Sequence, residues 1–346
     1  MKKFIINSSI FVLPFIILFA LNIILYNQQE GDLIRLGYLY SNPSPKSKIN
    51  SQYDLSKRYE RLSEIDLTTN RKFKVITIGD SFSEQGSLGY KNFLANKGVS
   101  VLHIDRFISG SNPNQTLIQL LNSNVFDHIS ADYVVLQSVE RSFNQRNKKI
   151  DFNMIIDIDS ITNKIKKYNK KLPDYNLKFF SEATLKIPLT NIQYLFHPKP
   201  YYSKTYKYKT NSNNLFSNVS GELLFYQDDI NNLNKKNDLL SIHESIEVLQ
   251  NINNLAAKRR MKLIVLVSPD KYDLYYKFIE NNDSLPKPLF FPFYEQTEKE
   301  YKNVDSYKIL SEKIIKVRDV YFYDDTHWSP KGSKIIADEI YDIINE

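Results

Sequence analysis

Three observations predict an α/β fold built on one parallel sheet. Short, β-branched apolar runs recur along the chain, helical patterns fall between them, and the first and last of the runs lead directly into Asp-Ser and Asp-Asp-Thr-His. Such alternation implies right-handed crossovers, helices on both faces of the sheet and ligand sites at the carboxyl ends of the strands. The chain's 346 residues suffice for one large domain of this kind or two small ones. With 42% hydrophobic and 25% charged residues, neither wholesale disorder nor a polytopic membrane protein is expected. The absence of cysteine excludes disulfides, thiol nucleophiles and Cys-based zinc sites.

The first element is not part of the sheet. Ile5 to Tyr26 is a nearly continuous apolar run, interrupted only by Asn7, Ser8, Ser9 and Asn22, and long enough to cross a bilayer as a helix. Lys2 and Lys3 precede it, so the positive-inside rule places the N-terminus in the cytoplasm and the rest of the chain outside, at a periplasmic or cell-surface location. No small-x-small cleavage pattern follows Ala20, which favours a retained anchor over a signal peptide. The organisation expected is an anchor at 1–29, a polar stalk at 30–70, and the α/β domain at 71–346.

Within that domain the first strand is Lys74 to Gly79. Further strands are expected at Val99 to Ile104, Tyr133 to Gln137, Leu263 to Val267 and Asp319 to Tyr323, which makes five in all. Helical patterns occupy Tyr90 to Asn96, Thr116 to Leu121, Ile242 to Lys258, Tyr307 to Val317 and Pro330 to Ile344. Residues 144–237 break the rhythm. They are rich in Tyr, Asn and Lys and read as an insertion between the third and fourth strands. Tyr201, Tyr202, Tyr206 and Tyr208 either stack on sugar rings or cover a packed subdomain.

The net charge of +7 is interleaved with acidic residues and reads as a solvated surface. Nucleic acid is therefore not an expected partner, whereas an acidic polysaccharide or an anionic membrane surface suits the balance.

Gly79-Asp80-Ser81 closes the first strand. A serine there holds its hydroxyl at the mouth of the sheet, beside backbone N–H groups that can stabilise an oxyanion. Tyr323-Asp324-Asp325-Thr326-His327-Trp328-Ser329-Pro330 ends the last expected strand. Ser329 and Pro330 are the N-cap and first-turn residues of a helix, which leaves His327 in the preceding loop, on the same edge as Ser81. A neutral imidazole takes a serine proton, and a carboxylate two or three positions earlier fixes its tautomer. His103, His128, His197 and His243 lack partners at metal-ligand spacing, so no metal and no organic cofactor is expected.

Gly79-Asp80-Ser81 and Asp325-Thr326-His327-Trp328 together resemble the SGNH (GDSL-like) hydrolase superfamily, and within it the alginate O-acetyltransferase-like branch. Val134 to Arg141 and Val267 to Tyr275 are softer matches to the same pattern. The resemblance implies an SGNH-hydrolase-like three-layer fold and a catalytic triad of Ser81, His327 and Asp325, with Asp324 as the alternative acid. Many family members carry Gly-x-Asn-Asp after the third strand; this chain has Val139-Glu140-Arg141-Ser142. Arg141 either replaces the missing asparagine as an oxyanion donor or forms an ion pair with Glu140. Gly110, in Ser109-Gly110-Ser111-Asn112, either adds a backbone donor beside that of Ser81 or serves a plain turn. Trp328 is expected as a wall of the catalytic loop or a substrate contact, and Lys271 and Tyr272 as substrate contacts or surface residues.

The function implied by the resemblance is O-acetyl transfer onto an extracytoplasmic polysaccharide, in company with a polytopic membrane acyltransferase that exports the acetyl unit. Two rivals stand beside it. A carbohydrate esterase or deacetylase would use water in place of the sugar hydroxyl, and a noncatalytic binding or scaffold component of a polysaccharide assembly machine would retain the triad as a relic.

Overall fold

The computed structural model describes residues 2–25, 31–40, 46–53, 55–170 and 182–346. Lys2–Leu25 is one helix whose apolar side chains are mostly exposed, and it is long and apolar enough to cross a membrane.

The central sheet has six strands, all parallel: β1 (Glu60–Arg61), β2 (Arg71–Ile78), β3 (Val101–His103), β4 (Ile129–Val139), β7 (Lys262–Ser268) and β8 (Lys302–Val304). Their spatial order is β1-β3-β2-β4-β7-β8, while β5 (Thr205–Lys209) and β6 (Glu222–Tyr226) form a separate antiparallel hairpin. Successive strands depart to opposite sides of β2, so the crevice at its carboxyl end is the topological switch point where α/β sheets place ligands.

Side chains on β7 alternate between two cores. Ile264 and Leu266 join the layer that contains helices Tyr90–Asn96 and Pro330–Asn345, while Leu263, Val265 and Val267 join the layer of helices Pro113–Leu121 and Leu239–Lys258. Burial on both faces explains why these strands read as unbroken apolar runs in the sequence.

Two expectations about the sheet need correction. Asp319 to Tyr323 is not a sheet strand. It folds back on its own loop, with a bridge between Tyr321 and Trp328 and the Ser329 N–H donating to Val320 O at 2.9 Å. The place beside β7 goes to Lys302–Val304, whose short Lys-Asn-Val sequence carries little strand signal. The sixth strand, β1, pairs with β3 from within the stretch read as a stalk.

That stretch is not a free spacer. Helix Asp32–Gly37 buries Leu33 and Ile34 against Leu224 of the hairpin, and helix Lys46–Asn50 buries Ile49. The inserted region is likewise built rather than irregular. Its described part contains helices Ile158–Asn169 and Ala183–Gln193, the β5–β6 hairpin, and helices Gln227–Asn231 and Leu233–Lys236. Tyr206 and Tyr208 stack on one another at 5.8 Å and pack against the core, whereas Tyr201 and Tyr202 are exposed.

Candidate active site

The turn after β2 is set by what surrounds it. A Cβ on Gly79 would lie 2.4 Å from both Gln137 Oε1 and Ser83 Oγ, so only glycine fits where the chain crosses β4. Asp80 follows, buried, and its carboxylate accepts from the N–H groups of Phe82 at 3.0 Å and Val139 at 2.8 Å and pairs with Arg146 at 2.5 Å. Burial would raise the Asp80 carboxyl, but the Arg146 charge and these hydrogen bonds hold it below its ordinary value. Asp80 therefore ties the ends of two neighbouring strands together and leaves Ser81 at the mouth.

His327 reaches Ser81 from the opposite motif. Its Nε2 lies 2.7 Å from Ser81 Oγ, and its Nδ1 lies 2.6 Å from Asp325 Oδ1, which also accepts the His327 backbone N–H at 3.0 Å. Of the two adjacent aspartates, Asp325 is the one bonded to the ring. Asp324 turns into the protein, where its Oδ1 is buried with no hydrogen-bond partner among the described residues. Burial pushes the Asp325 carboxyl up, yet the bond from His327 and the Lys46 ammonium, 2.8 Å from Oδ2, hold it well below the usual carboxylate range. The ring is packed against Phe82 at 4.7 Å between centroids. Ser329 caps the final helix by accepting from the Lys331 N–H at 3.0 Å, as its position before Pro330 leads one to expect.

Two residues of helix Asp32–Gly37 complete the site, and the sequence pattern held no sign of them. Asp32 accepts the Thr326 N–H at 2.8 Å and the Thr326 hydroxyl at 2.6 Å, and its Oδ2 stands 3.9 Å from His327 Nδ1. Burial and the neighbouring Asp325 charge raise the Asp32 carboxyl above its ordinary value. Gly31, just before it, packs so tightly on the loop of Asp324 to His327 that a Cβ would fall 2.0 Å from Asp324 O. Arg35, from the same helix, lines the mouth. No local motif announces such residues, because tertiary contact alone brings them to the site.

The other residues singled out from the sequence lie elsewhere or act differently. Trp328 is fully buried, and its indole N–H donates to Gln85 Oε1 at 2.7 Å, so it forms the wall behind the site and offers no face to substrate. Lys271 is also buried and donates to the carbonyls of Phe322 at 2.7 Å and Tyr323 at 2.5 Å, bracing the loop that carries Asp325 and His327; burial pushes its ammonium down to about 7. Tyr272 is buried and donates to Pro286 O at 2.8 Å, again away from solvent. Gly110 adopts φ +63° and its N–H donates to Arg106 O at 2.7 Å, so that donor is consumed by the turn. Arg141 pairs with Asp270 at 2.6 Å and Asp229 at 3.3 Å rather than with Glu140, which pairs with Lys236 at 2.9 Å.

Two clefts meet at the serine. One, of about 490 Å³, is lined by Ser81, His327 and Asp325 with Arg35, Lys46, Leu88 and Phe322. The other, of about 360 Å³, is lined by Ser81 and His327 with Arg141, Gln145, Tyr226, Asp228 and Asn232, most of them from the inserted region.

Asp32, Asp325 and His327 offer ligand atoms within 4.8 Å of one another, a spacing that a cation can bridge. Their oxygens are already taken by the Lys46 ammonium and the Thr326 hydroxyl, which suits an orienting network better than a metal. Glu140, Asp270 and Asp273 form a second acidic trio, and the Lys236 ammonium sits among them.

Residues 222–346 fit the family model described as SGNH hydrolase-like domain, acetyltransferase AlgX. The matched segment includes Asp325 and His327 and stops short of Ser81. No curated protein and no solved structure matches the chain.

Proposed function

From the premise that this chain carries an SGNH hydrolase-like domain of the alginate O-acetyltransferase-like branch, we propose that it is an O-acyltransferase working outside the cytoplasm on a polysaccharide. The observation that carries the reading is the continuous relay from Asp325 through His327 to Ser81, at 2.6 and 2.7 Å. In this mechanism His327 Nε2 accepts the Ser81 proton as Oγ attacks the acyl carbonyl. The tetrahedral oxyanion is held by the Ser81 backbone N–H, those of Phe82, Ser83 and Glu84 being engaged within the turn, and the donor's leaving group departs with the proton from His327. An acceptor hydroxyl then attacks the acyl-serine, with His327 again as base, and Ser81 is regenerated. Asp325 stays ionised and stabilises the imidazolium formed in each half-reaction.

The pair of clefts favours transfer over hydrolysis. Ser81 and His327 border both, so a donor can approach from the side of Leu88 and Phe322 and a saccharide from the side of Tyr226, Asp228 and Asn232. Amides, a carboxylate and an aromatic ring are the groups that bind sugar hydroxyls and ring faces. A polytopic acyltransferase supplying acetyl units at the same membrane fits the anchor helix, and the excess of Lys and Arg fits an acidic acceptor.

The test is acceptor competition. Wild-type protein is given an activated acetyl ester with and without an acidic oligosaccharide, and free acetate and acetylated sugar are both measured. Transfer predicts acetylated sugar at the expense of acetate, and loss of both in Ser81→Ala. Acetate release indifferent to any sugar would make the protein an esterase; saccharide binding with no acyl chemistry would make it a scaffold.

A further inference from the structure

Helix Ala183–Gln193, inside the inserted region, is apolar on two faces. Ala183, Ile187 and Thr190 are buried against the protein, as their spacing of three and four residues requires. Leu185, Leu189 and Ile192 repeat the same spacing on the opposite side and are exposed, at 75%, 45% and 59%. The exposed stripe continues past the helix into Leu195, Phe196 and Tyr201, which are 77%, 76% and 85% exposed. So many large apolar side chains exposed on one short stretch are rare in a monomeric soluble protein.

The surroundings say what covers it. The helix packs against the anchor helix Lys2–Leu25, whose residues Leu18 and Phe19, in its second half, are partly covered. The segment that leaves the anchor is bonded to the same helix: Asn191 accepts the Tyr40 N–H at 2.9 Å and donates to Tyr38 O at 2.8 Å. Lys186, lying over the rings of Tyr38 and Tyr202 at 5.3 Å each, and Lys199, over Tyr206, place ammonium groups beside the apolar stripe. Lysine and tyrosine flanking an apolar helical face is the composition of a helix that lies in the headgroup layer of a bilayer.

We infer that the face formed by Leu185, Leu189, Ile192, Leu195 and Phe196 docks into the lipid interface at the C-terminal end of the anchor. This rests on the reading of Lys2–Leu25 as a membrane anchor. The docked face fixes the orientation of the whole domain, so that the catalytic cleft is held at the membrane surface instead of swinging on a tether. Asp32 lies seven positions beyond Leu25, which at about 3.5 Å per residue keeps Asp32, bonded to Thr326 beside His327, within about 25 Å of the anchor's end.

The absence of native cysteine makes the inference directly measurable. The full chain carrying Leu189→Cys or Phe196→Cys is spin-labelled and reconstituted into phosphatidylcholine/phosphatidylglycerol vesicles, with Leu240→Cys as an exposed comparison site. Oxygen and a water-soluble nickel chelate serve as collision probes. Docking predicts that the labels at 189 and 196 collide preferentially with oxygen, at a depth of about 5–10 Å, while 240 stays nickel-accessible. Chain that floats with the vesicles but shows nickel-accessible labels at 189 and 196 overturns the inference. Labels shielded from both probes also overturn it, in favour of contact with a second copy of the chain. Chain that fails to float overturns the anchor reading itself, and the inference with it.

Discussion

The Ser81–His327 pair depends on a carboxylate that stays charged. Asp325 is held well below the usual carboxylate range by the His327 bond and the Lys46 ammonium, so it stays ionised through the pH range where an ordinary carboxylate takes up its proton. The acid limb of the pH–rate profile should accordingly report another group. Asp325→Asn should lower kcat by roughly 10³–10⁴-fold by favouring the wrong tautomer, while Asp324→Asn leaves kcat within about tenfold of wild type; ester turnover by the two variants checks both. His103 supports a second prediction. It is fully buried between Thr77 Oγ1 at 2.9 Å and Glu84 Oε1 at 3.0 Å, and burial pushes its imidazole down to about 4. The unfolded chain therefore binds more protons than the folded one between about 6.5 and 4, so stability present above that window is lost as pH falls through it. Urea midpoints measured across this range should decline toward acid, and His103→Gln should flatten the decline. Ser81, Asp325 and His327 were legible in the sequence because each sits in a short run that also shapes its own turn. Arg146 and Asp32 were not, since what makes them important is the carboxylate of Asp80 in one case and the Thr326 hydroxyl in the other, each distant in sequence.

At the scale of elements, the segment between the N-terminal helix and the sheet changes character most between sequence and structure. Its polar composition and lack of sustained periodicity suggest a stalk, yet helix Asp32–Gly37 is hydrogen-bonded into the catalytic loop through Leu33 and Asp32. A helix of six residues is too short to show a period, which is why it went unseen. Asp32→Ala should loosen Thr326 and the His327 ring and lower kcat by up to about 100-fold with little change in thermal midpoint, a split seen by pairing ester turnover with a melting curve. Lys271→Met should act differently. It removes the ammonium that braces the Phe322 and Tyr323 carbonyls, and a buried loss of this kind lowers stability by about 1–3 kcal/mol as well as slowing turnover. The core strands β2, β4 and β7 were legible because burial on both faces leaves a continuous apolar run. Asp319 to Tyr323 has the same composition but pairs within its own loop, a choice that composition does not encode.

The molecule as a whole joins an apolar N-terminal helix to an α/β domain whose active edge is built partly from the chain that follows that helix. The inserted region supplies one wall of the second cleft through Tyr226, Asp228 and Asn232, and so links what looked like an interruption of the fold to the proposed acceptor side. The proposed transfer chemistry depends on Ser81 acting as a nucleophile. Intact-mass measurement of the full chain after exposure to an activated acetyl ester, with wild type and Ser81→Ala side by side, tests that most directly. The account predicts a single acetyl adduct or sustained ester turnover in the wild type and neither in Ser81→Ala; an adduct or turnover that survives in Ser81→Ala would contradict it.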